Sequence, residues 1–435
     1  MIMKSKKAKQ LSRRGFLRTS KGIMGALAVP WLVPASVLKG VVPSEQITLG
    51  VIGIGSRCRL VLKHFMTNED LRCLAVCDAL EQRRIFAKKM ADERYNNNDC
   101  AMYKDIPEIL ARKDIDAILI ATGDRMHAIG SIMAAKAGKD IYSEKPMSLT
   151  IEEGRALVEV MDRYGTVYQC GHQRRSVDSY KFQVEVVQSG MIGNVHTVQC
   201  RTWKSGVIPA QEPQPVPEGL DYDTWLGPTP YHPYIPANVL HAGWNYFWDT
   251  GGGVVIGMGC HYTDIAQWGL DRDDTGPIYY KGTAEYAENC MSDTPVTSNV
   301  VCTYADGKKI VLESEGSFND RFIRFIGDEG WIQVDDATNI VTAEPKSILN
   351  KRGVSARGYI HTNDHVRNFL DCIRTRQETT CSPEKSHRAT TVCHVANIGL
   401  RLDRDVQWDP QKEQFVNDVE ANRMLSRAMR PPWTL

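Results

Sequence analysis

The sequence predicts an α/β protein of two domains, the first built on a doubly wound parallel sheet and the second an α/β domain with a large, mostly antiparallel open sheet. Three observations predict it. Buried apolar runs alternate with helical segments up to residue 170, and short alternating runs follow between residues 195 and 335. The length of 435 residues, with 42% hydrophobic and 24% charged residues, fits two globular domains with sizeable cores.

The first half consists of repeated strand–helix units. Residues 47–54 form a short apolar run that ends in glycines, which is typical of a buried parallel strand. Thr150 and Glu153 form a capping box that starts a helix reaching residue 164. In all, strands are predicted at 47–54, 71–77, 117–121, 140–143 and 166–170, and helices at 60–66, 80–93, 127–137 and 150–164.

The second half changes character. Residues 205–240 hold eight prolines and predict a long loop, and loops of that length are usually functional or disordered. Alternating runs bounded by turn residues predict an antiparallel sheet that is open on one face. Its strands are predicted at 195–203, 278–285, 296–304, 309–315, 322–326 and 331–335, and helices return at 364–376, 383–402 and 412–424.

Residues 1–40 have the layout of an export signal. A basic stretch precedes an apolar run, residues 22–38, which two prolines interrupt and which is too short for a stable membrane anchor. Residues 12–18, SRRGFLR, match the twin-arginine export pattern, with a disordered basic tail as the alternative. Since the twin-arginine machinery carries folded proteins, we expect a periplasmic protein that takes up a tightly bound cofactor before export.

Charge argues against nucleic acid or an anionic membrane as a partner. Residues 1–40 hold nine of the 53 basic residues and no acid, so the remaining chain carries 44 bases against 52 acids. The twelve cysteines are scattered, with no C-x-x-C pair and no Cys/His ligand spacing. This pattern predicts buried free thiols and no metal site.

A glycine-rich turn after the first strand is the clearest binding motif. Residues 53–58, GIGSRC, follow the pattern G-x-G-x-x-G with cysteine in the third place. The first glycine permits a tight turn, and the second lets backbone amides approach a pyrophosphate at a helix N-terminus. Asp78, 20 residues after Cys58, is placed to bind a ribose 2′-hydroxyl, which favours NAD, while Arg83 and Arg84 leave NADP open. A structural glycine turn beside a surface aspartate is the alternative.

Taken together, the motifs resemble the Gfo/Idh/MocA family, named for glucose–fructose oxidoreductase and inositol dehydrogenase. The likeness rests on the glycine turn, TGDRMH at 122–127, EKP at 144–146, GHQRR at 171–175, and GGG at 251–253 followed by H-x-x-D at 261–264. It covers nearly all of residues 45–435. The resemblance implies a Rossmann domain at 45–170 and a C-terminal substrate and oligomerisation domain at 171–435, behind the signal at 1–40. It also implies that C-terminal helices pack back on the Rossmann domain.

The resemblance also assigns roles to residues. It implies that Lys145 and His261 are catalytic, because oxidation of an alcohol needs a group that manages the hydroxyl proton. The family usually has an acid four residues before this histidine, where the present chain has Gly257; Asp249 or Asp264 could compensate. The residues expected to bind the cofactor are Gly53, Ile54, Gly55, Ser56, Arg57, Cys58, Asp78, Arg83, Thr122, Asp124, His127, Glu144, Lys145 and Gln173.

Aromatic and polar side chains of the second half predict a carbohydrate site, since flat sugar faces stack on aromatic rings. Core packing is the alternative for each ring. The residues expected to bind substrate are Arg174, Arg175, Trp203, Trp244, Asn245, Trp248, Asp249 and Asp264, with Tyr246, Phe247 and His172 as neighbours.

These features favour an exported, homo-oligomeric (dimeric or tetrameric) oxidoreductase that acts on a sugar, glycoside or polyol with a recycled cofactor. Two alternatives remain. One is an NAD-dependent glycosidase like glycoside hydrolase family 109, which oxidises C3 transiently and then eliminates the aglycone. The other is a carbohydrate-binding homologue that has lost catalysis.

Overall fold

The N-terminal half of the chain folds around a six-stranded parallel sheet. The computed structural model describes residues 46–240, 243–350 and 362–435, and the predicted export signal lies outside them. The strands are β1 (Ile47–Ile52), β2 (Leu71–Cys77), β3 (Ala101–Tyr103), β4 (Ala117–Ile120), β5 (Asp140–Ser143) and β6 (Tyr168–Cys170). The helices are α1 (Ser56–Phe65), α2 (Glu81–Tyr95), α3 (Ile106–Leu110), α4 (His127–Lys136) and α5 (Ile151–Tyr164).

The strand order is β3-β2-β1-β4-β5-β6, and each neighbouring pair is parallel. This is the order of the doubly wound dinucleotide-binding fold, and such sheets bind ligands at the carboxyl ends of the strands, where the order reverses between β1 and β4. The predicted parallel sheet is therefore confirmed. The sequence pattern did not predict β3 and α3, because three and five residues are too few to display a period.

A nine-stranded sheet forms the second half. Its strands are β7 (Val195–Trp203), β8 (Tyr279–Glu285), β9 (Thr297–Thr303), β10 (Lys309–Gly316), β11 (Phe322–Gly327), β12 (Gly330–Asp335), β13 (Val341–Glu344), β14 (Val406–Asp409) and β15 (Gln414–Phe415). The order is β13-β12-β11-β7-β10-β9-β8-β14-β15, with β7 and β10 parallel and the other pairs antiparallel. The predicted mostly antiparallel open sheet is confirmed.

Helices cover one face of this sheet and leave the other open. They are α6 (Asp178–Gln188), α10 (Gly259–Leu270) and α12 (Pro383–Arg401), and a short helix, α9 (Gly253–Gly257), precedes α10. Val198, Val300 and Phe325 on the sheet pack with Ile265 of α10 and Val395 of α12 in one buried cluster. The helices lie there because packing against the sheet removes their apolar sides from water.

The C-terminal region differs from its predicted helices in one place. Helix α11 (His365–Thr375) packs Val366, Phe369 and Leu370 into the core of the parallel sheet. The predicted helix at 412–424 is wrong over its first half, because Phe415 lies in β15 and only α13 (Val419–Arg423) is helical. Asn422 explains the difference, since its side chain exchanges two hydrogen bonds of 2.8 Å with the Phe415 backbone.

Residues 205–240, the proline-rich segment, are ordered and pack against the parallel sheet. The segment contains two short helices, α7 (Tyr222–Leu226) and α8 (Pro236–Leu240), where the sequence predicted a loop. Tyr222, Trp225 and Tyr234 pack with Leu80, which follows β2. The segment therefore stands beside the ligand-binding edge of the first sheet. Within the described chain, every helix lacks the length or the apolar character needed to cross a membrane.

Candidate active site

The glycine turn after β1 forms an open cradle. Gly53 has a φ of +83°, and a Cβ there would lie 2.6 Å from the Thr122 backbone nitrogen, so a larger residue cannot fit. Gly55 precedes α1, and a Cβ on Gly55 would meet no atom within 4 Å. Cys58, the departure from the glycine pattern, is fully buried in the core below. The turn thus leaves space where a pyrophosphate would approach the start of α1.

Asp78 closes one side of this cradle. Its carboxylate accepts hydrogen bonds from the Ile54 amide (2.6 Å) and the Leu80 amide (2.8 Å), which hold it rigidly beside the glycine turn. Each carboxylate oxygen keeps a further lone pair for a ligand hydroxyl. Arg83 stands 4.0 Å away and borders the same cavity, whereas Arg84 donates to the Asp78 backbone carbonyl. The turn, the helix end and the carboxylate fit a dinucleotide cofactor.

A second cavity adjoins the first and shares with it Ala121, Thr122 and Trp244. Its remaining walls come from both domains and are formed by Ser56, Arg57, Asp124, His127, Glu144, Lys145, Trp203, Asn245, Tyr246, Gly253, Val254, Gly257 and Met258. The two cavities together contain most of the residues that the sequence assigned to cofactor and catalysis, and the wall of the second cavity comes from six separate segments of the chain.

Lys145 reaches into this second cavity from the end of β5. Its Nζ donates a hydrogen bond to the Gly257 carbonyl oxygen. A Cβ on Gly257 would meet no atom within 4 Å, so the place of the family's acid is open space and no bulkier residue fills it. The sequence could not reveal this contact, because it links a side chain to a backbone oxygen 112 residues away.

Glu144 is held in place by two neighbours. It accepts hydrogen bonds from Arg57 Nε (3.0 Å) and from Gln173 Nε2 (2.8 Å), and Gln173 also donates to the Tyr142 hydroxyl (2.9 Å). Its other oxygen, Oε2, is buried without a partner in the described structure. The arrangement fixes the carboxylate next to Lys145 and leaves one oxygen for a ligand.

His127 is a neutral, structural histidine at the cavity wall. Its Nδ1 donates to the Pro146 carbonyl (2.7 Å), and its Nε2 lies 3.3 Å from the Thr122 carbonyl oxygen. Burial lowers the pKa of His127 to about 4. It therefore orients the backbone next to Lys145 and carries no charge near neutral pH.

Asp124 is the least compensated carboxylate at this cavity. Its side chain is buried, and Oδ2 has no hydrogen-bond partner among the described residues. Burial raises the pKa of Asp124 to about 8, although the positive charges of Lys145 and Arg125 oppose the rise. Ionisation is costly here because the carboxylate would be buried without a partner, so near neutral pH Asp124 is largely the protonated acid.

His261 lies in α10 and is not among the residues that line either cavity. Its ring packs edge-on against that of His172, with centroids 5.7 Å apart, and its Nδ1 is buried without a partner. Burial, helped by the nearby charges of Arg174 and Lys145, places the pKa of His261 well below its usual range. His261 is a neutral donor or acceptor behind the cavity wall.

The residues assigned to substrate fall into three places. Trp203, Trp244 and Asn245 line the second cavity. Trp248 and Asp249 line a separate cavity near Thr150 and Arg427.

The other three lie in buried ion pairs. Arg174 binds Asp336 through two contacts of 2.7 Å, and Arg175 binds Asp264 at 2.9 Å. Arg175 also contacts Asp273 at 2.7 Å. These pairs satisfy the charges of Arg174, Arg175 and Asp264, so Asp264 is not positioned to replace the acid missing at residue 257.

Arg125 and Trp225 are among the residues of the first cavity that the sequence interpretation did not assign to the site. The Arg125 guanidinium stacks 4.0 Å from the Trp225 ring centroid. Arg125 Nε also donates to the Trp225 carbonyl at 3.1 Å. Arg125 lies inside the motif at 122–127, so its position was a usable signal. Trp225 lies in the proline-rich segment, where no period marks a functional residue.

The structure also tests the predictions made for the cysteines and for metal ligands. All twelve cysteines are free and eleven are buried, which confirms the predicted buried thiols. Among the described residues, no three His, Cys, Asp or Glu side chains are grouped to hold a metal ion.

Known proteins are similar to this chain in sequence and in fold. A myo-inositol 2-dehydrogenase of Thermotoga maritima is 28% identical over 375 residues, covering 83% of this chain and 98% of its own. A glycosyl hydrolase family 109 protein of Shewanella amazonensis is 32% identical over 170 residues, covering 35% of this chain and 37% of its own. In fold, the crystal structure of myo-inositol 2-dehydrogenase from Lactobacillus plantarum is similar, with a TM-score of 0.62, 17% identity and coverage of 83% and 99%.

Two family models match the chain side by side. The NAD-binding Rossmann fold of the Gfo/Idh/MocA oxidoreductases matches residues 47–172, and their C-terminal alpha/beta domain matches residues 180–435. The second match alone spans more than half of the chain. Together with the parallel sheet, the glycine cradle and Lys145 at its edge, these matches show that the chain belongs to the Gfo/Idh/MocA oxidoreductase family.

Proposed function

We propose that this protein is an exported oxidoreductase that moves hydride between a tightly bound NAD and a hydroxyl-bearing carbon of a sugar, glycoside or polyol. One observation carries the proposal. A cavity that contains Lys145 and Asp124, with Trp203 and Trp244 in its walls, opens beside the glycine cradle. A substrate there would have an acid–base group, a stacking surface and the cofactor within one continuous space.

The residues of the first cavity would hold the cofactor. Gly53 and Gly55 would admit the pyrophosphate, and Asp78 would accept a hydrogen bond from the adenosine ribose. A fixed carboxylate at this place repels a 2′-phosphate, which supports NAD over NADP, although Arg83 borders the same space. When bound, a nicotinamide cofactor accepts or returns a hydride.

The protein's own residues would position and polarise the alcohol. Lys145 would donate a hydrogen bond to the reacting oxygen and stabilise its negative charge. Trp203 and Trp244 would stack on the apolar face of a sugar or cyclitol ring, and Asn245 would bind a ring hydroxyl. The myo-inositol dehydrogenase relative supports a polyol or sugar as the substrate class.

Cofactor recycling follows from the proposed location. Outside the cytoplasm the protein would meet no pool of free nicotinamide dinucleotide, so the same bound cofactor would have to be reoxidised in place. Either a second substrate or the reaction's own intermediate would take the hydride back. This requirement supports tight binding, which the walls that Thr224 and Trp225 of the proline-rich segment add to the cradle favour.

Net glycoside hydrolysis is the second candidate function, favoured by the family 109 relative. Both candidates start with the same oxidation, after which the intermediate either leaves as a keto product or undergoes elimination. Mass spectrometry of products from a panel of glycosides and cyclitols separates them, since a keto-sugar indicates the oxidoreductase and a free sugar plus aglycone indicates the hydrolase. The absence of both products across the panel would contradict both.

The cofactor itself is tested on the purified protein. We expect heat denaturation to release a nicotinamide dinucleotide, mostly NAD, without any being added. Chromatography of the supernatant identifies it. Protein that contains none and also fails to bind added NAD or NADP would refute the dinucleotide site.

The open face of the nine-stranded sheet supports a homo-oligomer. Val301, Val311, Ile326 and Trp331 are only partly buried there. We propose that this face pairs with a second copy of the chain to give a dimer or tetramer, as the resemblance implies. Light scattering after size-exclusion chromatography measures the mass directly, and a monomer at micromolar concentration would contradict the proposal.

A further inference from the structure

The missing acid at residue 257 leaves a specific gap in the second cavity. Gly257 borders this cavity, and a Cβ at this position would meet no atom within 4 Å. Its carbonyl oxygen accepts the hydrogen bond from Lys145. The side chain that would share the proton chemistry with Lys145 is therefore absent on this wall, and the space for it is empty.

A carboxyl group is present on another wall of the same cavity. Asp124 follows β4, its side chain is 3% exposed, and Oδ2 has no partner in the described chain. Glu144, the other carboxyl lining this cavity within the described residues, is already held by Arg57 and Gln173. Glu144 also keeps one oxygen without a partner, Oε2, but two side-chain donors already bind its Oε1. No side-chain donor binds Asp124 among the described residues, so Asp124 is the carboxyl better placed to exchange a proton with a ligand.

The electrostatic surroundings suit an acid–base role. A carboxyl of ordinary pKa is a weak base, but burial raises the pKa of Asp124 to about 8, close to neutral pH where proton transfer in both directions is efficient. Lys145 and Arg125 moderate this rise. The other titratable or charged side chains facing the cavity are Arg57, His127, Glu144 and Tyr246.

We infer that Asp124 is the second acid–base group of this site and takes the proton of the substrate hydroxyl in place of the carboxylate missing at residue 257. The inference rests on the proposed function. In the oxidation, the substrate C–H bond would break and its hydrogen would leave with the bonding electron pair, as a hydride, to the nicotinamide held by the first cavity. The O–H bond breaks, its proton goes to Asp124 Oδ2, and the C=O bond forms beside the Lys145 ammonium. When the hydride returns, Asp124 gives the proton back.

The first test is single-turnover reduction of bound NAD by a substrate of the parent protein. Asp124→Asn keeps the shape of the side chain and removes its proton exchange, so we expect the rate to fall about 10²–10⁴-fold. In the parent, the rate should rise with pH around the pKa of about 8, because the base must be ionised, and this rise should disappear in the variant. A parental rate and pH profile in Asp124→Asn would overturn the inference.

The open space at Gly257 supplies a rescue with a matched control. We expect Asp124→Asn/Gly257→Asp to be at least about tenfold faster than Asp124→Asn. General acid–base groups contribute about 10²–10⁴-fold, and a carboxyl at residue 257 of the same cavity has room to act. Asp124→Asn/Gly257→Ala adds only the Cβ and should recover nothing. Equal recovery in both double variants would mean that packing, not proton exchange, limits the rate, and would overturn the assignment.

A second readout needs no substrate. Infrared spectra of the purified protein should show, below about pH 8, the carbonyl band of an un-ionised carboxylic acid that is absent from Asp124→Asn. The same band in both proteins would overturn the inference, because the proton would reside elsewhere. If the parent oxidises no member of the panel but the band behaves as expected, the proton site stands and the proposed sugar oxidation fails.

Discussion

Lys145 and His261 differ in their position relative to the second cavity. Lys145 lines it and reaches the Gly257 carbonyl, whereas His261 lies behind the wall with its ring on His172. A group in the cavity acts on the reacting oxygen directly. A group behind the wall acts by donating or accepting a hydrogen bond once a ligand has ordered the site.

We predict that Lys145→Ala and His261→Ala each lower the rate of NAD reduction by about 10²–10⁴-fold, while cofactor affinity stays close to that of the parent. Single-turnover NADH fluorescence measures the rate. Lys139→Ala is the control, because this buried lysine donates to the Arg112 and Ile115 carbonyls and lines neither cavity, so its loss should affect stability and leave the rate unchanged. Parental turnover in either active-site variant would remove that residue from the mechanism.

At the scale of elements, the turn between β1 and α1 contains two glycines with different roles, one in folding and one in binding. Gly53 is needed for the backbone, since its φ is +83° and Thr122 occupies the space beside it. Gly55 is needed for the ligand, because its backbone is extended and a Cβ there would project into open space. The two glycines of this motif are therefore required for different physical reasons.

We predict that Gly55→Ala lowers NAD affinity at least about tenfold while the melting temperature stays within about 2 °C of the parent's, since a lost close approach to the pyrophosphate is worth about 1–3 kcal/mol. Gly138→Ala is the matched control. Gly138 has a φ of +75° and open space around it, so this change should cost about 1 kcal/mol of stability and leave NAD affinity unchanged. Isothermal titration and thermal melting distinguish the two, and normal binding by Gly55→Ala would contradict the cradle.

A polar cluster ties α5 and α12 to the segment between β14 and β15. Glu413 accepts hydrogen bonds from Arg155 (2.7 Å) and His387 (2.7 Å), and Arg388 lies 3.2 Å away. Burial alone would raise the pKa of Glu413, but Arg155 and His387 hold it well below its usual range. Burial lowers the pKa of His387.

Both shifts make the fold sensitive to acid. A carboxyl with a depressed pKa stabilises the fold above its ordinary pKa of about 4.3 and loses this contribution as the pH falls through that value and below. A histidine that is buried neutral adds a loss below its ordinary pKa of about 6.5. Acidification therefore weakens the contact between the two helices.

We predict that Glu413→Gln lowers the free energy of unfolding by about 1–3 kcal/mol at pH 7, and that its difference from the parent shrinks between about pH 5 and 3. Urea denaturation at a series of pH values measures this. Glu420→Gln is the control, because Glu420 pairs with Arg404 on the surface with 66% of its side chain exposed, and its loss should be nearly neutral. A constant difference at all pH values would refute the linkage.

At the scale of the whole molecule, the N-terminal pattern concerns where the protein works. Residues 1–40 carry the twin-arginine pattern, and the remaining chain has an excess of acids. We predict that Arg13→Lys/Arg14→Lys leaves the precursor in the cytoplasm, folded and with its cofactor. Cell fractionation with an enzyme assay of each fraction measures it. A normal periplasmic yield would show that the two arginines belong only to a basic tail.

The amino-acid pattern determined the domain types, most strands and the cofactor motif, because these features are local. Buried parallel strands are short apolar runs, the dinucleotide turn requires glycines at fixed spacing, and Thr150 caps α5 as its capping box predicted. The sequence also identified Lys145 through the motif at 144–146. The absence of an acid at residue 257 was visible without a structure.

Only the tertiary structure decided which polar residues share a cavity. The sequence assigned Arg175 and Asp264 to the substrate and Asp124 to the cofactor. In the structure Arg175 and Asp264 neutralise each other in the core, while Asp124 keeps an unpartnered oxygen at the second cavity. The physical reason is that the cost of burying a charge depends on its partners, and those partners lie far away along the chain: 89 residues for Arg175 and Asp264, and 112 for Lys145 and the Gly257 carbonyl. A periodic pattern in the sequence reports only on near neighbours along the chain and cannot predict contacts over such separations.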